Sequence, residues 1–551
     1  MSVKKINSED QAKEQASGPE PGHMLDVFPS EKLHHYDEPW LGPDIQEFKR
    51  NPACLSKGPL LKPTHDHTIC VEATAVHEGK IIPYKSPKAK DVWSAEYVKM
   101  PFSNFSKYTK KTWHHLELTV NRWDIVVSAL KKPCFETSKG LENAILQYNQ
   151  KYAHVWKFSG FHKYLDQLQF GEQKSLLAIV LPKMAKLALQ LPDLCAKPIP
   201  LLKRGKHHAV TMSQEQIACL LANAFFCTFP HRNSTQRNSE YSNFPDINFS
   251  RLFAIPSSKT FEKLKTIFCY FNTVTENMPK GLVTFQRCCL NDDIQWKRSP
   301  YKLTKLHITR KGTIEEQGGD MLQVDFAAAM VGGGVLGSGL VQEEIRFLIN
   351  TELIVARLFT EKLEANECLV ITGAQRYSEY TGYSDSYRWQ RSYIEETPRD
   401  SWLRRCTEIV AIDAVNFRNP LDQYEAYFLE RELKKAFCGF SHRVLPDRQP
   451  LTVATGNWGC GVYKGDVKLK ALIQIMAAAQ AQKDVVYFTF GDSALMKSIH
   501  EMHQFLQQKD FTVGRLYNLL EKYSKIDFGG SKARDLYQFI QNNGDSLKGR
   551  I

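Results

Sequence analysis

A glycine-rich stretch that joins a candidate strand to a candidate helix constrains the fold most. Residues 332–339 contain five glycines, follow the candidate strand 321–326 and precede the amphipathic segment 342–360. Glycines let backbone N–H groups approach a phosphate closely, and a helix start adds unpaired donors and a positive dipole end. The stretch therefore predicts an α/β fold in which this loop binds a nucleotide or a pyrophosphate.

Two adjacent carboxylates, Glu343 and Glu344, open the candidate helix. They are either ordinary acids of a first helical turn or functional groups. A site that only binds an anion gains little from them, whereas a site that protonates a leaving oxygen and stabilises a cationic transition state needs carboxylates. Neighbouring helical residues diverge by about 100°, so we expect different roles: one reaches the scissile bond, and the other fixes a hydroxyl.

Asp325 ends the strand that leads into the glycine-rich stretch. A carboxylate there either holds the loop backbone or a substrate hydroxyl, or is a satisfied acid at the end of a strand. Both interpretations stay open from the residues alone.

The hydrophobic period changes along the chain, which indicates two kinds of structure. Residues 61–247 have a helical pattern, with Ser213 and Gln216 as a capping box. From about residue 251, short β-branched runs alternate with amphipathic segments, which is typical of an α/β sheet. The candidate strands are 282–287, 305–309, 321–326, 368–372, 408–414, 451–455 and 485–490, and the candidate helices are 342–360, 423–437, 467–480 and 493–508.

A chain of 551 residues exceeds one ordinary core, so we expect several units. The pattern predicts a disordered leader over residues 1–60, a helical accessory domain over 61–250, a catalytic α/β domain over 251–525 and a flexible tail over 526–551. No apolar run is long enough for a membrane helix. Thirteen scattered cysteines fit a reducing compartment, and a net charge of +12 favours a polyanionic partner.

Gly332, Gly334 and Gly337 also satisfy the GxGxxG pattern of dinucleotide-binding folds. That fold expects an acidic residue at the end of the next strand, but the run 369–373 ends in Thr and Gly. The missing acid makes a dehydrogenase a less favoured hypothesis. A second glycine-rich turn, 455–461, suits a diphosphate or is a plain turn. Tyr383 and Phe490 follow strands, where an aromatic ring either stacks on a ligand or packs.

The chain resembles the poly(ADP-ribose) glycohydrolase family. The run 332–334 followed by Gln342, Glu343 and Glu344 is similar to the diagnostic motif of the animal enzyme. The similarity extends over about residues 70–525. It includes the segments 212–230, 325–327, 377–383, 407–414, 454–461 and 484–492.

The resemblance implies a macrodomain-like mixed sheet flanked by helices, with an N-terminal helical accessory domain. It also implies hydrolysis of the ribose–ribose O-glycosidic bond of poly(ADP-ribose), which releases ADP-ribose. Glu344 then resembles the general acid, Glu343 the residue that positions a ribose hydroxyl, and Asp325 the supporting acid.

The remaining site residues also follow from the resemblance. Adenine contacts are implied for Ile314 and Glu315, and contacts to ribose and diphosphate for the first glycine loop and Gln342. The full set implied to bind substrate is Ile314, Glu315, Gly332, Gly333, Gly334, Gln342, Tyr383, Asn457, Trp458, Gly459, Cys460, Gly461, Val462 and Phe490. No metal or other cofactor is implied. We expect a monomer in the nucleus, the cytoplasm or both, acting on poly(ADP-ribose) attached to modified proteins, with no nucleic acid required and no membrane.

One position departs from the family pattern. The family has Asn and a basic residue after Asp-Phe-Ala, whereas this chain has Ala328 and Ala329. Loss of the amide removes a donor and an acceptor from the site, which would cost about 1–3 kcal/mol if the partner stays buried. The alternative function is therefore a weakly active or non-catalytic protein that binds ADP-ribose or its polymer.

Overall fold

A mixed β-sheet of ten strands forms the centre of the computed structural model. The structure describes residues 38–49, 59–84, 91–111, 117–131, 135–234, 236–441, 452–526 and 535–544. The strands, including two short two-stranded pairs outside the main sheet, are β1 Trp40–Leu41, β2 His67–Ile69, β3 Lys107–Lys111, β4 Glu117–Asn121, β5 His208–Ser213, β6 Leu282–Cys289, β7 Leu306–Thr309, β8 Leu322–Ala327, β9 Glu367–Thr372, β10 Ser378–Thr381, β11 Arg388–Ser392, β12 Glu408–Asp413, β13 Val453–Gly456 and β14 Val485–Phe488.

Helices surround this sheet. They are α1 Ala73–His77, α2 Arg122–Lys131, α3 Ser138–Gln147, α4 Ser159–Asp166, α5 Phe170–Ser175, α6 Leu181–Leu189, α7 Leu191–Leu194, α8 Gln214–Phe225, α9 Ser250–Ala254, α10 Ser258–Glu276, α11 Ile314–Gln317, α12 Gln342–Ile349, α13 Ala356–Phe359, α14 Ala426–Ser441, α15 Val467–Gln480, α16 Ser493–Gln508, α17 Val513–Ser524 and α18 Leu536–Asn543. A π-helical turn, Leu176–Val180, connects α5 to α6.

The strand order places the glycine-rich loop near the middle of the sheet. The order is β1-β7-β14-β13-β8-β12-β9-β6-β5-β2. Strands β7, β14, β13, β8 and β12 are parallel, whereas β9, β6 and β5 continue the sheet by antiparallel pairing. Because parallel strands end at the same edge, the segments after β7, β8, β13 and β14 meet there.

The sheet separates two apolar cores. Along β9, Leu369 and Ile371 belong to the core on the side of α8 and α10, while Cys368 and Val370 belong to the core on the side of α14 and α15. Alternate residues of a strand point to opposite faces, so a strand covered on both faces is apolar throughout. This arrangement confirms the predicted α/β fold with helices flanking a mixed sheet.

Most predicted elements of the sheet region are confirmed. Helices α15 and α16 have the predicted bounds, and the predicted strands differ by a few residues at their ends. The predicted helix 342–360 is wrong as one element. It breaks at Asn350, whose φ of −104° and ψ of 68° leave the helical region, and resumes as a 3₁₀ turn and α13.

The all-helical interpretation of residues 61–250 is also wrong in part. Strands β2 and β5 pair with each other, and β5 pairs with β6 in the main sheet. Five of the six residues of β5 are buried, so its sequence lacks the alternation of a half-exposed strand. The predicted capping box of Ser213 and Gln216 is confirmed at the start of α8. The division at residue 250 stays a prediction.

The two ends contain more structure than predicted. The prediction of a disordered leader over 1–60 is wrong at residues 40–41, which form β1, where Trp40 stacks on His307 with ring centroids 5.2 Å apart. The prediction of a flexible tail is wrong at α18, whose Leu536 and Ile540 are buried. Residues 1–37, 50–58, 527–534 and 545–551 lie outside the described residues.

Two further sequence expectations concern compartment and membrane. Within the described ranges, no helix is long and apolar enough to cross a bilayer. Ten of the described cysteines carry free thiols, and Cys406 is disulfide-bonded.

We expect Ser213→Ala to destabilise the protein by about 1–2 kcal/mol, because the hydroxyl caps a buried helix start. Ser213 Oγ accepts from the Gln216 N–H at 3.1 Å, and Gln216 Oε1 accepts from the Ser213 N–H at 2.9 Å. Urea unfolding measures the change in free energy. The control is Ser493→Ala, at an exposed first-turn serine of α16, and an equal loss in both variants would contradict the capping role.

Candidate active site

Gln342 fastens the start of α12 to the end of β8. Its Oε1 accepts from the Phe326 N–H at 2.8 Å, and its Nε2 donates to the Val324 carbonyl at 3.2 Å. The helix begins at Gln342 because the preceding residue, Val341, is extended with φ −113° and ψ −161°. The loop 328–341 therefore leaves the strand and returns to the helix at one fixed place.

Glycine is required inside this loop for steric reasons. Gly332 and Gly333 have φ values of +81° and +43°, which residues with a side chain rarely adopt. A Cβ atom at Gly333 would lie 2.4 Å from Glu344 Oε1 and 2.7 Å from Glu343 Oε2. The glycines thus let the backbone close directly over the two carboxylates.

The two glutamates bind different parts of the loop. Glu343 accepts from the Ala328 N–H at 2.8 Å and from the Gly332 N–H at 2.5 Å. Glu344 accepts from the Gly334 N–H at 2.7 Å and from the Val341 N–H at 2.8 Å. Both residues are buried, so these bonds replace the hydration that each carboxylate loses.

A third carboxylate lies next to this pair. Burial raises the pKa of Asp325 to about 8, with Arg346 opposing the rise and Glu344 adding to it. Burial, Asp325 and Glu344 together raise the pKa of Glu343 well above its usual value. Because like charges this close cannot all ionise in a buried place, the cluster holds at least one proton near neutral pH.

Two buried cations, Arg357 and Lys263, donate hydrogen bonds to carbonyls of the loop, and neither was predicted from the sequence. Arg357 Nη1 donates to the carbonyls of Val331 at 2.8 Å and Gly333 at 3.0 Å. Lys263 Nζ donates to the carbonyls of Gly334, Val335 and Gly337 at 2.9, 3.1 and 2.9 Å. Neither contact follows from spacing in the sequence, because Lys263 belongs to α10, about seventy residues earlier in the chain.

Glu343 and Glu344 line a cavity of about 890 Å³ at the carboxyl edge of the parallel strands. This volume suits a ligand of nucleotide size. Most of the predicted site residues line it: Ile314, Glu315, Gly333, Gly334, Gln342, Glu343, Glu344, Tyr383, Asn457, Gly459, Cys460, Gly461, Val462 and Phe490. Residues from four strand ends therefore meet around one space.

Three predicted residues do not line the cavity. Asp325 and Gly332 are buried next to the lining glutamates. Trp458 is fully buried; its Nε1 donates to the Ile412 carbonyl at 3.0 Å, and Lys470 Nζ lies 4.3 Å from its ring centroid. The indole of Trp458 therefore supports the second glycine loop from inside and does not line the cavity, and its contact with substrate stays a prediction.

Several lining residues were absent from the predicted site. They are Thr313, Phe326, Val341, Ile345, Arg346, Gly382, Tyr463 and Val467, together with Tyr380, whose hydroxyl donates to Glu315 Oε1. Arg346 had a usable signal, because it follows Glu343 by three residues and so shares a face of α12. Ala328 also lines the cavity, at the position where the sequence departs from the family pattern.

Aromatic rings stand at the rim of the cavity. The side chains of Tyr383 and Phe490 are 55% and 46% exposed, so each leaves ring surface free for a ligand. Asn457, in the second glycine turn, accepts from the Tyr487 hydroxyl at 3.0 Å through Oδ1. Among the residues that the structure describes, no cluster of His, Cys, Asp and Glu side chains is arranged to hold a metal ion.

Comparisons with known proteins match both halves of the chain. A family model for the poly(ADP-ribose) glycohydrolase helical domain matches residues 168–287, and one for the macro domain fold of the same enzymes matches residues 294–497. Poly(ADP-ribose) glycohydrolase 1 of Arabidopsis thaliana is 32% identical over 481 residues, which cover 72% of this chain and 85% of the relative.

Two other relatives show similar identity. Probable poly(ADP-ribose) glycohydrolase 2 of Arabidopsis thaliana is 32% identical and covers 67% of this chain and 82% of its own length. Poly(ADP-ribose) glycohydrolase 1 of Caenorhabditis elegans is 32% identical and covers 61% of this chain and 43% of its own length.

We expect Asp325→Asn to raise the free energy of unfolding at pH 8 and to have a smaller effect on it at pH 5. The folded-state pKa of Asp325, about 8, lies above its ordinary value of 3.8, so folding binds a proton and stability falls as pH rises between these values. The slope for one proton is about 1.4 kcal/mol per pH unit. Urea unfolding at several pH values measures it, and an unchanged slope in the variant would contradict the raised pKa.

Proposed function

This chain belongs to the poly(ADP-ribose) glycohydrolase family, and on that premise we propose that it hydrolyses the ribose–ribose O-glycosidic bonds of poly(ADP-ribose). The products are ADP-ribose and a shortened polymer. One observation carries the proposal: Glu343 and Glu344 lie side by side at the start of α12, in the wall of a nucleotide-sized cavity. A module that only binds ADP-ribose has no need of an acid at the glycosidic bond.

Glu344 is the proposed general acid and base. Its proton passes to the leaving ribose oxygen as the glycosidic C–O bond breaks, which leaves an oxocarbenium-like sugar. The carboxylate then takes a proton from water while the water oxygen bonds to the sugar carbon. Burial raises the pKa values of Asp325 and Glu343, so these two neighbours of Glu344 retain protons near neutral pH and are a source of protons for the site.

The other walls of the cavity have proposed roles in binding the separate parts of ADP-ribose. We propose that the first and second glycine loops bind the diphosphate through backbone N–H groups and that Ile314 and Glu315 receive adenine. The rings of Tyr383 and Phe490 stack on the ligand at the rim. Glu343 positions a ribose hydroxyl, which is consistent with its place beside Glu344 and its separate backbone partners.

The alternative of a non-catalytic reader is not favoured. The relatives are glycohydrolases by name, and the acid pair is present together with the backbone donors that hold it. The amide of the family Asn is replaced at Ala328, but the Ala328 N–H still donates to Glu343. A missing side-chain contact therefore weakens the site without dismantling it.

The cellular setting is also part of the proposal. A net charge of +12 complements a polyanion, and we propose that the substrate is poly(ADP-ribose) attached to modified proteins. No nucleic acid is required for the reaction. We further propose a monomer that acts in the nucleus, the cytoplasm or both.

We expect Glu344→Gln to lower the rate of ADP-ribose release by at least about a hundredfold, because the amide cannot deliver the proton. Chromatography of products from purified poly(ADP-ribose) measures the release. Glu316→Gln is the matched control, since Glu316 is exposed on α11. Undiminished turnover in Glu344→Gln would refute the general acid, and tight binding of polymer without turnover in the parent would indicate a reader.

We expect Ala328→Asn to raise kcat/KM by up to about tenfold, the equivalent of one hydrogen bond of about 1.4 kcal/mol. Ala328 is half-buried and lines the cavity, so an amide there faces the substrate. Ala329→Asn, one residue further on and outside the lining, controls for a general effect on the loop. Equal or lower activity in Ala328→Asn would show that this chain has adapted to the smaller residue.

A further inference from the structure

Lys263 is completely buried beneath the glycine loop. It lies in α10 with 0% exposure, and the only acceptors of its ammonium within hydrogen-bond distance in the described ranges are the loop carbonyls of Gly334, Val335 and Gly337. The long side chain thus reaches from α10 to one stretch of four residues. Nothing else in the described structure bonds to this nitrogen.

Lys263 differs from two other buried lysines, which form ion pairs with carboxylates. Lys435 Nζ lies 2.6 Å from Asp413 Oδ1, and Lys470 bonds directly to Glu432. No carboxylate forms such an ion pair with Lys263 in the part of the chain that the structure describes. A buried ammonium without a counterion is costly, so a fold that retains one gains something from its position.

The opposite charge that acts on Lys263 is that of Glu344. Burial lowers the pKa of Lys263 to about 7; Glu344 opposes this fall, and the cations of Arg357 and Lys259 add to it. Gly334 connects the two groups, since its carbonyl accepts from Lys263 at 2.9 Å and its N–H donates to Glu344 at 2.7 Å. One glycine therefore lies between the buried ammonium and the acid.

We propose that Lys263 is a positioning residue for the hydrolysis: its ammonium fixes the carbonyls of Gly334, Val335 and Gly337, so that Gly334 keeps the conformation in which its N–H donates to Glu344. The proposal rests on the proposed function. Three charge-assisted hydrogen bonds to one short turn hold its peptide planes in a single orientation. A preorganised carboxylate needs no rearrangement when the glycosidic bond breaks.

Arg357 does not duplicate this role. Its guanidinium holds the earlier carbonyls of Val331 and Gly333, and its Nε also donates to the Asp246 carbonyl at 2.7 Å. It therefore ties the beginning of the loop to the neighbouring backbone. The Gly333 carbonyl and the Gly334 N–H belong to the same peptide group, so Arg357 holds the peptide group before Gly334 and Lys263 holds the one after it.

The test compares four variants with the parent protein. Lys263→Met removes donor and charge at similar length, Lys263→Gln keeps two donors without charge, and Lys263→Arg keeps the charge. Lys265→Met is the matched control, because Lys265 is exposed on the same helix and pairs with Glu262 at 2.8 Å. Circular dichroism and Tm establish that each variant is folded.

Two readouts separate positioning from a structural role. In Lys263→Met we expect kcat on poly(ADP-ribose) to fall at least about tenfold with KM within about threefold, because the acid and not the binding surface is disturbed. The kcat of Lys263→Gln should lie between those of Lys263→Met and the parent. Lys263→Arg should recover part of the parent kcat, and Lys265→Met should have the parent kcat. Amide hydrogen exchange in residues 332–341 should be faster in Lys263→Met than in the parent, and it should be unchanged in Lys265→Met.

The contrary results are equally specific. Parent values of kcat and loop exchange in Lys263→Met would overturn the proposal, as would a rise in KM with kcat unchanged. A lower Tm with parent kcat would assign Lys263 to stability only. If the parent itself releases no ADP-ribose, the proposed function fails, and loop exchange in Lys263→Met against Lys265→Met still decides whether Lys263 fixes the loop.

Discussion

Four backbone N–H groups donated to two adjacent carboxylates hold the site together. Ala328 and Gly332 donate to Glu343, while Gly334 and Val341 donate to Glu344. A loop of this length lacks the hydrogen-bond ladder of a strand, and a buried carboxylate lacks water. The loop N–H groups and the buried carboxylates therefore supply each other's hydrogen bonds. The glycines follow from this exchange, because a side chain at position 333 would occupy the space of the carboxylate oxygens.

The same exchange sets the charge of the site. Asp325, Glu343 and Glu344 would repel one another if all were ionised, and burial raises the pKa values of Asp325 and Glu343. Three buried cations, Lys263, Arg346 and Arg357, surround them at distances too long for direct ion pairs in the described residues. Charge balance spread over several groups leaves a proton available without locking it into one salt bridge.

Local pattern predicted the elements that local interactions determine. Helices α15 and α16, the strand β8 and the capping box of Ser213 follow from periodicity and end signals. The strand β5, buried along its length within a helical region, depends on pairing with β6 about seventy residues later. The glycine loop and its acids were visible in the sequence, whereas Lys263 and the inward turn of Trp458 depend on contacts that only the folded chain creates.

The helical region is part of the site and not an attachment to it. The sheet supplies the acids, since β8 carries Asp325 and α12 follows directly from it. The support for the loop comes from the other side, where α10 contributes Lys263 and the Asp246 carbonyl holds Arg357. The family models likewise span both regions. A sheet domain without α10 would keep Glu344 but lose the three bonds that fix the turn beside it, so binding of ADP-ribose and hydrolysis of poly(ADP-ribose) place different demands on the same fold.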